Sequence, residues 1–268
     1  MNYAASAPTS ANTATALENG IAYRRFHDAV ARAQLVAWLP PRRQLLVDIS
    51  GPRADSAELA AHAGHTVLRV VDDVRSVPAR TGDGQPRRDP RRSGGTAPPG
   101  QGQLRTLVGD TSTLAFLPDG CADGVIAGDR ALSTHLGAES MVAAIARVLR
   151  PAGRVLACVD SLVLGMAVLA GQHHWPHLAD LPRAEVVLIP WPDGTITRCY
   201  GPDQLSELFT GAGLAVSWMR PLTVFSESLV TRVLSQDPDC MPRLVRAELG
   251  AQTDEAFGAE LVVSARKL

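Results

Sequence analysis

The sequence predicts one α/β domain built on a doubly wound parallel sheet. Short, almost wholly apolar runs, typical of strands buried on both faces, alternate with longer segments whose apolar residues recur at helical spacing. The chain has 268 residues, of which 46% are hydrophobic and 20% are charged. A chain of this size and composition can bury a substantial core.

Each predicted element follows from periodicity and from turn residues. Apolar residues at helical spacing over 17–37 predict a first helix, which Pro40-Pro41 terminates. Asp193-Gly194 is typical of a hairpin turn. The predicted helices cover residues 17–37, 55–63, 138–149, 162–171, 204–210 and 241–249. The predicted strands cover residues 44–49, 66–71, 104–108, 124–127, 154–159, 214–220 and 260–265, with a hairpin at 186–190 and 195–199.

Two segments are predicted to lie outside the folded core. Residues 1–12 are small and polar, and we expect them to be disordered, which leaves 13–268 as one domain. Residues 78–103 contain almost no apolar side chains to offset their ordering entropy, so they predict a mobile insertion. The arginines of this insertion have the charge to contact phosphate. No aromatic residues lie among them for base stacking, which favours a solvated loop.

Composition and charge argue against several classes of partner. The net charge is −1, so nothing in the balance favours nucleic acid or a membrane surface. The N-terminal residues lack the basic and apolar regions of a signal peptide, and the longest apolar run is too short to span a bilayer. The four cysteines are scattered without metal or redox spacing, which predicts a cytoplasmic protein.

The most specific pattern is a series of ordered pieces in the middle of the chain. It consists of Gly109-Asp110, Leu-Pro-Asp-Gly at 117–120, an apolar run at 123–127, a helix at 138–149 and Arg-Pro-Ala-Gly at 150–153. In order and spacing this series resembles the second half of the class I S-adenosylmethionine-dependent methyltransferase domain. The resemblance implies a Rossmann-like sheet of seven strands, mostly parallel with an antiparallel C-terminal edge, and S-adenosylmethionine as the cofactor.

The resemblance places the cofactor after the first strand, where the family has Asp-x-Gly-x-Gly-x-Gly. Aligned on Asp48, the three family glycines become Ser50, Pro52 and Ala54, with Gly51 between them. Pro52 removes an amide donor and fixes φ. We therefore expect either that Asp48, Ser50 and Gly51 hold the cofactor slightly farther out, or that it does not bind.

Acidic residues after the next two strands are further candidates. In the family, an acid at the end of the second strand accepts hydrogen bonds from both ribose hydroxyls, and here Asp72 and Asp73 are both candidates. Asp110 matches the acid that meets the adenine amino group, with the amide of Thr111 beside it. The alternatives are that Asp72 and Asp73 only cap a strand and that Gly109-Asp110 is an ordinary turn.

After the fourth strand, the resemblance implies that Gly128 and Asp129 lie along the methionine moiety. His135 matches a histidine found at the pocket mouth of related enzymes, where it would take a proton from a hydroxyl near neutral pH. The alternative is a histidine at a helix start with no chemical task. Methyl transfer is an in-line displacement that depends mainly on alignment, so a missing base would not exclude activity.

Two other features were candidates for ligand binding. His173 and His177 have the spacing of zinc ligands on a helix, but Pro176 interrupts it and no carboxylate or cysteine completes the set. We therefore predict no metal site. Arg198 belongs to a partial match to the family segment that flanks the acceptor pocket, and it is either structural or faces an anionic acceptor.

Three functions fit these observations. The first is an enzyme that methylates oxygen, nitrogen or carbon on a small molecule, with the first helix and residues 162–191 forming a lid over the acceptor. The second, suggested by the altered glycine loop, is a catalytically inactive methyltransferase-like domain that acts as a binding or regulatory protein. The third is an enzyme of this fold with another reaction, such as a cyclisation. The first helix is apolar enough to pack on its own sheet or on a second copy in a homodimer.

Overall fold

A computed structural model describes most of the chain. The described residues are 10–52, 54–73, 75, 102–181, 184, 186–191, 193–254 and 257–268. Residues 1–9 and the predicted insertion from 78 to 101 lie outside them. The first helix begins at Ser10, so its start lies before residue 13, where the sequence predicted the domain to begin. Gln103 likewise belongs to a strand and not to the insertion.

The described strands form a large sheet and a separate hairpin. Every strand that the sequence predicted is present, and all except the strand at 66–71 differ from the prediction at one or both ends. The strands are β1 (Leu45–Asp48), β2 (Thr66–Val71), β3 (Gln103–Val108), β4 (Ala122–Ala127), β5 (Leu149–Asp160), β6 (Val187–Pro190), β7 (Ile196–Cys199), β8 (Leu214–Pro221) and β9 (Glu260–Lys267).

The large sheet has seven strands in the order β3-β2-β1-β4-β5-β9-β8. Strands β3, β2, β1, β4 and β5 are parallel, and β9 is antiparallel to both of its neighbours. The predicted fold class is confirmed, with the antiparallel strand one position inside the sheet edge. The strand order reverses between β1 and β4, and ligands of such sheets bind outside the carboxyl ends of the strands at that point.

Helices account for most of the remaining described residues. They are α1 (Ser10–Trp38), α2 (Ser56–His62), α3 (Ala131–Thr134), α4 (Ala138–Val148), α5 (Leu162–Gly171), α6 (Trp175–Asp180), α7 (Pro202–Gly211), α8 (Glu227–Gln236) and α9 (Met241–Ala251). The sequence analysis missed α3, α6 and α8, of which the first two are too short for periodicity to show. Across the described ranges, no helix combines the length and apolar character that a bilayer crossing requires.

Helices pack on both faces of the sheet. On one face, α4 and α7 bury Met141 and Phe209. On the other face, α1 and α8 bury Phe26 and Val230. The C-terminal end of α1 is fixed across the sheet, because Trp38 Nε1 donates a hydrogen bond of 3.1 Å to a hydroxyl of β9. Helix α1 therefore forms a roof over the strands of that face.

The layer that contains α1 depends on a buried carboxylate. Glu248 on α9 is fully buried, and its two oxygens accept hydrogen bonds from the backbone N–H groups of Val224 and Phe225 at 2.6 and 2.9 Å. These two amides lie in the connection between β8 and α8, so Glu248 joins α9 to the start of α8.

Replacement of Glu248 by alanine should destabilise the fold. The substitution leaves two amides without their charged acceptor, and we expect the free energy of unfolding to fall by about 3 kcal/mol. Chemical denaturation measures this change. The matched control is Glu207→Ala at an exposed position of α7, which should change stability by less than about 0.5 kcal/mol. Equal effects of the two substitutions would contradict the proposed role of Glu248.

Candidate functional site

The bend after β1 is organised by a buried carboxylate. Asp48 Oδ1 accepts a hydrogen bond from the backbone N–H of Ser50 at 2.8 Å, and Oδ2 accepts one from the Ser56 hydroxyl at 2.5 Å. Burial raises the pKa of Asp48, although these hydrogen bonds and Arg69 oppose the shift. Asp48 therefore shapes the loop from below, and it does not line the cavity described next.

Ser50 and Gly51 replace the expected glycine loop with a different geometry. The Ser50 hydroxyl accepts a hydrogen bond of 2.8 Å from the backbone N–H of Gly128, which joins the ends of β1 and β4. Gly51 has φ +91, and a Cβ at its position would meet nothing within 4 Å. The one glycine that the loop retains is therefore at a left-handed position, with open space above it for a ligand.

A cavity of about 820 Å³ opens at the carboxyl ends of the parallel strands and continues beneath α1. Its volume is within the range of about 300–1,000 Å³ that is typical of small-molecule sites. The sequence-predicted site residues that line it are Ser50, Gly51, Asp72, Asp73, Thr111, Gly128, Asp129 and His135. The structure thus brings together residues from the ends of four strands, as the fold requires.

Asp72 is the centre of a polar cluster on one wall. Thr111 donates its backbone N–H to Asp72 Oδ1 at 2.8 Å, and its hydroxyl lies 2.8 and 3.0 Å from the two carboxylate oxygens. His135 Nε2 lies 3.8 Å from Asp72 Oδ2 and 3.4 Å from the Thr111 hydroxyl. The Asp72 side chain is still 55% exposed. A carboxylate has about four lone-pair sites, so Asp72 keeps acceptor capacity for a ligand.

The other two predicted acids on this side accept hydrogen bonds from residues that follow them in the chain. Asp73 Oδ1 accepts a hydrogen bond of 2.9 Å from the backbone N–H of Arg75. Asp110 does not line the cavity, because its carboxylate accepts hydrogen bonds from Ser112 and Thr113 within its own turn. The hydrogen bonds from Ser112 and Thr113 lower the pKa of Asp110 to about 2. Gly109-Asp110 therefore forms an ordinary turn, which was the alternative given in the sequence analysis.

The loop after β4 contains an unusual backbone. Asp129 and Arg130 have φ values of 46 and 59, so two consecutive residues with side chains adopt the left-handed conformation. Such residues cost about 1–3 kcal/mol each and cluster at functional sites. Arg130 Nη1 lies 3.3 Å from Oδ1 of the fully buried Asp160, an ion pair that helps to hold the loop. Both loop residues line the cavity.

The far end of the cavity contains residues that the sequence analysis missed. His27 Nε2 and Glu260 Oε2 are 2.9 Å apart, and both residues line the cavity. Cys158 Sγ donates to the same oxygen at 3.7 Å. Burial alone would lower the pKa of His27, but its interactions with Glu260 and Asp28 raise it. Burial raises the pKa of Cys158 well above its ordinary value, so the thiol is neutral.

The predicted lid is partly wrong. Helix α1 covers the cavity as expected, but none of the described residues in 162–191 lines it. The apolar residues of α5, β6 and β7 pack instead on one another, around Leu169 and Ile189. Arg198 is structural, because it is buried against Tyr200 and forms an ion pair of 2.6 Å with Glu139.

The histidine cluster does not form a helical pair. His173 precedes α6 and has φ 60, and Pro176 lies in the first turn of that helix, so His173 and His177 do not share a helical face. Among the described residues, no group of three or more His, Cys, Asp or Glu side chains is placed to hold a metal ion.

No protein-family model and no curated protein matches this sequence. Solved structures do match its fold. A putative S-adenosylmethionine-dependent methyltransferase from Listeria monocytogenes has a TM-score of 0.57 at 14% identity and covers 90% of this chain and 98% of its own. The fold is that of S-adenosylmethionine-dependent methyltransferases.

A second structural relative was crystallised with ligands. It is the 1,6-didemethyltoxoflavin-N1-methyltransferase of Burkholderia thailandensis with bound 1,6-didemethyltoxoflavin and S-adenosylhomocysteine, at a TM-score of 0.51 and 16% identity, covering 100% of this chain and 93% of that one. A third, at a TM-score of 0.52 and 16% identity, comes from the complex between the Trm112 methyltransferase activator and the putative methyltransferase of Haloferax volcanii, and the match covers 97% and 99% of the two chains.

The position of Asp110 is testable by its titration. We expect its carboxylate to titrate by NMR with a pKa of about 2, because the hydrogen bonds from Ser112 and Thr113 favour the charged form. A depressed pKa stabilises the fold above the unfolded value, and this stabilisation is lost as the pH falls towards 2. Ser112→Ala should raise the pKa, and addition of S-adenosylhomocysteine should leave it unchanged. A pKa at the ordinary value of 3.8 would contradict the turn geometry.

Proposed function

We propose that this protein transfers a methyl group from S-adenosylmethionine to a small molecule. The observation that carries the proposal is the single cavity of about 820 Å³, which runs from Asp72 at the end of β2 to Glu260 at the start of β9. The end near Asp72 is polar and suits a nucleoside, and the end that α1 covers suits a second ligand. Its position at the reversal of strand order is the expected one for this fold.

The residues at the polar end fit an adenosyl donor. Asp72 has acceptor capacity for both ribose hydroxyls, and the space above Gly51 leaves room for the ligand to approach the backbone. The loop at Gly128 and Asp129 would hold the methionine moiety, with the Asp129 carboxylate as a partner for its ammonium group. When bound there, the cofactor supplies a methyl group on a positively charged sulfur.

The task of the protein is alignment and exclusion of water. The hydrogen bond between Ser50 and Gly128 fixes the loops after β1 and β4 relative to each other, so both ends of a bound donor would meet a rigid surface. Helix α1 covers the adjoining part of the cavity. Correct placement of two reactants supplies much of the acceleration in displacement reactions.

A small molecule is the acceptor that the cavity supports best. The end beneath α1 is lined in part by apolar side chains of α1, β5 and β9, and the cavity volume of about 820 Å³ is that of a small-molecule site. The formal charge of −1 gives no basic surface for nucleic acid. All four cysteines are free thiols, which supports the reducing environment of the cytoplasm.

His135 has a different place from the one the resemblance implies for a base. It lies beside Asp72, so we assign it to the ribose end of the site, where its ring nitrogen borders the Asp72 carboxylate. Neighbouring strands lie about 4.8 Å apart, so β2 and β9 are separated by about 19 Å across the sheet. Any group that receives a proton from an acceptor beneath α1 would therefore lie at the β9 end.

Isothermal titration with S-adenosylhomocysteine tests the proposal. We expect binding in the micromolar range, weakened about tenfold or more by Asp72→Ala, because charge-assisted hydrogen bonds to the ribose are lost. Asp73→Ala is the matched control, since this neighbouring acid accepts from the backbone of Arg75, and it should change the affinity by less than about twofold.

The absence of binding up to millimolar ligand would overturn the enzymatic function. The alternative is the catalytically inactive, regulatory domain, and one observation favours it: Ser50 and Asp72 already have hydrogen-bond partners within the protein. Equal effects of the two aspartate substitutions would retain the cofactor but contradict the position proposed for its ribose.

A further inference from the structure

The far end of the cavity is an apolar slot with one polar wall. Its apolar surface is formed by side chains from α1, β5, β9 and the residue after β8, and includes Leu35, Leu156, Leu222 and Val262. Along β9, side chains alternate between the two faces of the sheet, so Glu260 and Val262 both lie on the α1 face. The carboxylate of Glu260 therefore borders this apolar surface, and the polar side chains of His27 and Gln34 on α1 also line the cavity.

The Glu260 carboxylate is anchored through one of its oxygens. His27 and Cys158 both contact Oε2, at 2.9 and 3.7 Å. Among the described residues, Oε1 accepts no hydrogen bond, and the side chain is 17% exposed. Oε1 therefore keeps its lone pairs for a donor that enters the slot.

Glu260 also lies at the correct distance along the sheet. It pairs in register with Asp160 at the carboxyl end of β5, and β5 is the neighbour of β4. Two strand spacings therefore separate Glu260 from Gly128, a distance of about 10 Å. A methyl donor that extends from Asp72 to Gly128 would therefore place its methionine end next to the slot.

We propose that Glu260 binds the methyl acceptor by accepting a hydrogen bond from its hydroxyl or N–H group, with His27 as the residue that positions the carboxylate. The inference rests on the proposed function and names the acceptor class: an apolar ring that carries one protic group. The ring lies against the apolar wall, and the proton of the O–H or N–H bond passes to Oε1 while its electron pair remains on the acceptor atom.

The charges near the slot favour a neutral acceptor over an anion. Arg130 is paired with the buried Asp160, and His27 lies between Glu260 and Asp28. The titratable and charged groups around Glu260 are Tyr23, His27 and Asp28 on α1, Arg130 before α3, and Cys158 and Asp160 on β5. Counted together with Glu260, these groups include three carboxylates and two basic side chains, so a neutral ligand is favoured over an anion.

The probe for this proposal is 4-nitrophenol, whose absorbance distinguishes the phenol from the phenolate. We titrate the full-length protein with the dye in the absence of cofactor and measure the apparent pKa of the bound dye. The carboxylate stabilises the O–H form and repels the anion, so we expect this pKa to rise by about one unit relative to the free dye. Glu260→Gln keeps the side-chain volume but removes the charge, and should return the pKa close to that of the free dye.

Two further variants separate positioning from folding. Glu260 and Asp28 raise the pKa of His27, and the ring compensates the charge of Glu260 when it is protonated. His27→Gln removes that compensation, so the pKa of the bound dye should rise further, a change that a purely structural residue would not produce. Glu207→Gln, at an exposed position of α7, is the matched control and should behave like the unchanged protein.

Several outcomes would overturn the proposal. They are a lowered pKa of the bound dye, which would mean that the slot holds an anion, no response to Glu260→Gln, or no dye binding at millimolar concentration. Titration with S-adenosylhomocysteine on the same samples is independent. If that ligand fails to bind but the dye responds as expected, the proposed function fails and the acceptor slot stands.

Discussion

The site depends on how the chain leaves β1 without the glycine loop usual for this fold. Asp48, buried beneath the bend, accepts hydrogen bonds from the Ser50 amide and the Ser56 hydroxyl. The Ser50 hydroxyl in turn accepts from the Gly128 amide. These contacts connect β1, α2 and β4 at the strand ends. The conformation of the loop after β1 is therefore held by side-chain hydrogen bonds and not by a series of glycines. Only Gly51 still needs the left-handed conformation.

This constraint sets the form of the cavity. With the ends of β1 and β4 joined, space opens towards Asp72 on one side and beneath α1 on the other. The two ends differ in chemistry: the first presents a half-exposed carboxylate, and the second presents apolar side chains with one anchored carboxylate, Glu260. Helix α1, which covers the second end, is anchored to β9 by the hydrogen bond of Trp38. It packs in the helical layer that Glu248 stabilises.

Local patterns in the sequence predicted the sheet and much of the cofactor end. The strands are short apolar runs with clear turn signals, and Asp72, Thr111 and Gly128 follow strand ends directly, so strand position alone brings them together. The direction of a side chain within its turn was not predictable, and Asp48 and Asp110 proved to bond within their own loops. His27 and Glu260 are 233 residues apart, so their contact depends on the packing of α1 over β9, which periodicity does not specify. A carboxylate directly before the apolar residues at 261–263 was the available signal.

The central claim is that an adenosyl donor binds against this altered bend. A crystal structure of the protein with saturating S-adenosylhomocysteine tests it most directly. We expect the ribose hydroxyls to lie at hydrogen-bond distance from Asp72 and the ligand to lie over Gly51. The hydrogen bond between Ser50 and Gly128 should be unchanged. Electron density for the ligand at another place, or a cavity without ligand under these conditions, would contradict it.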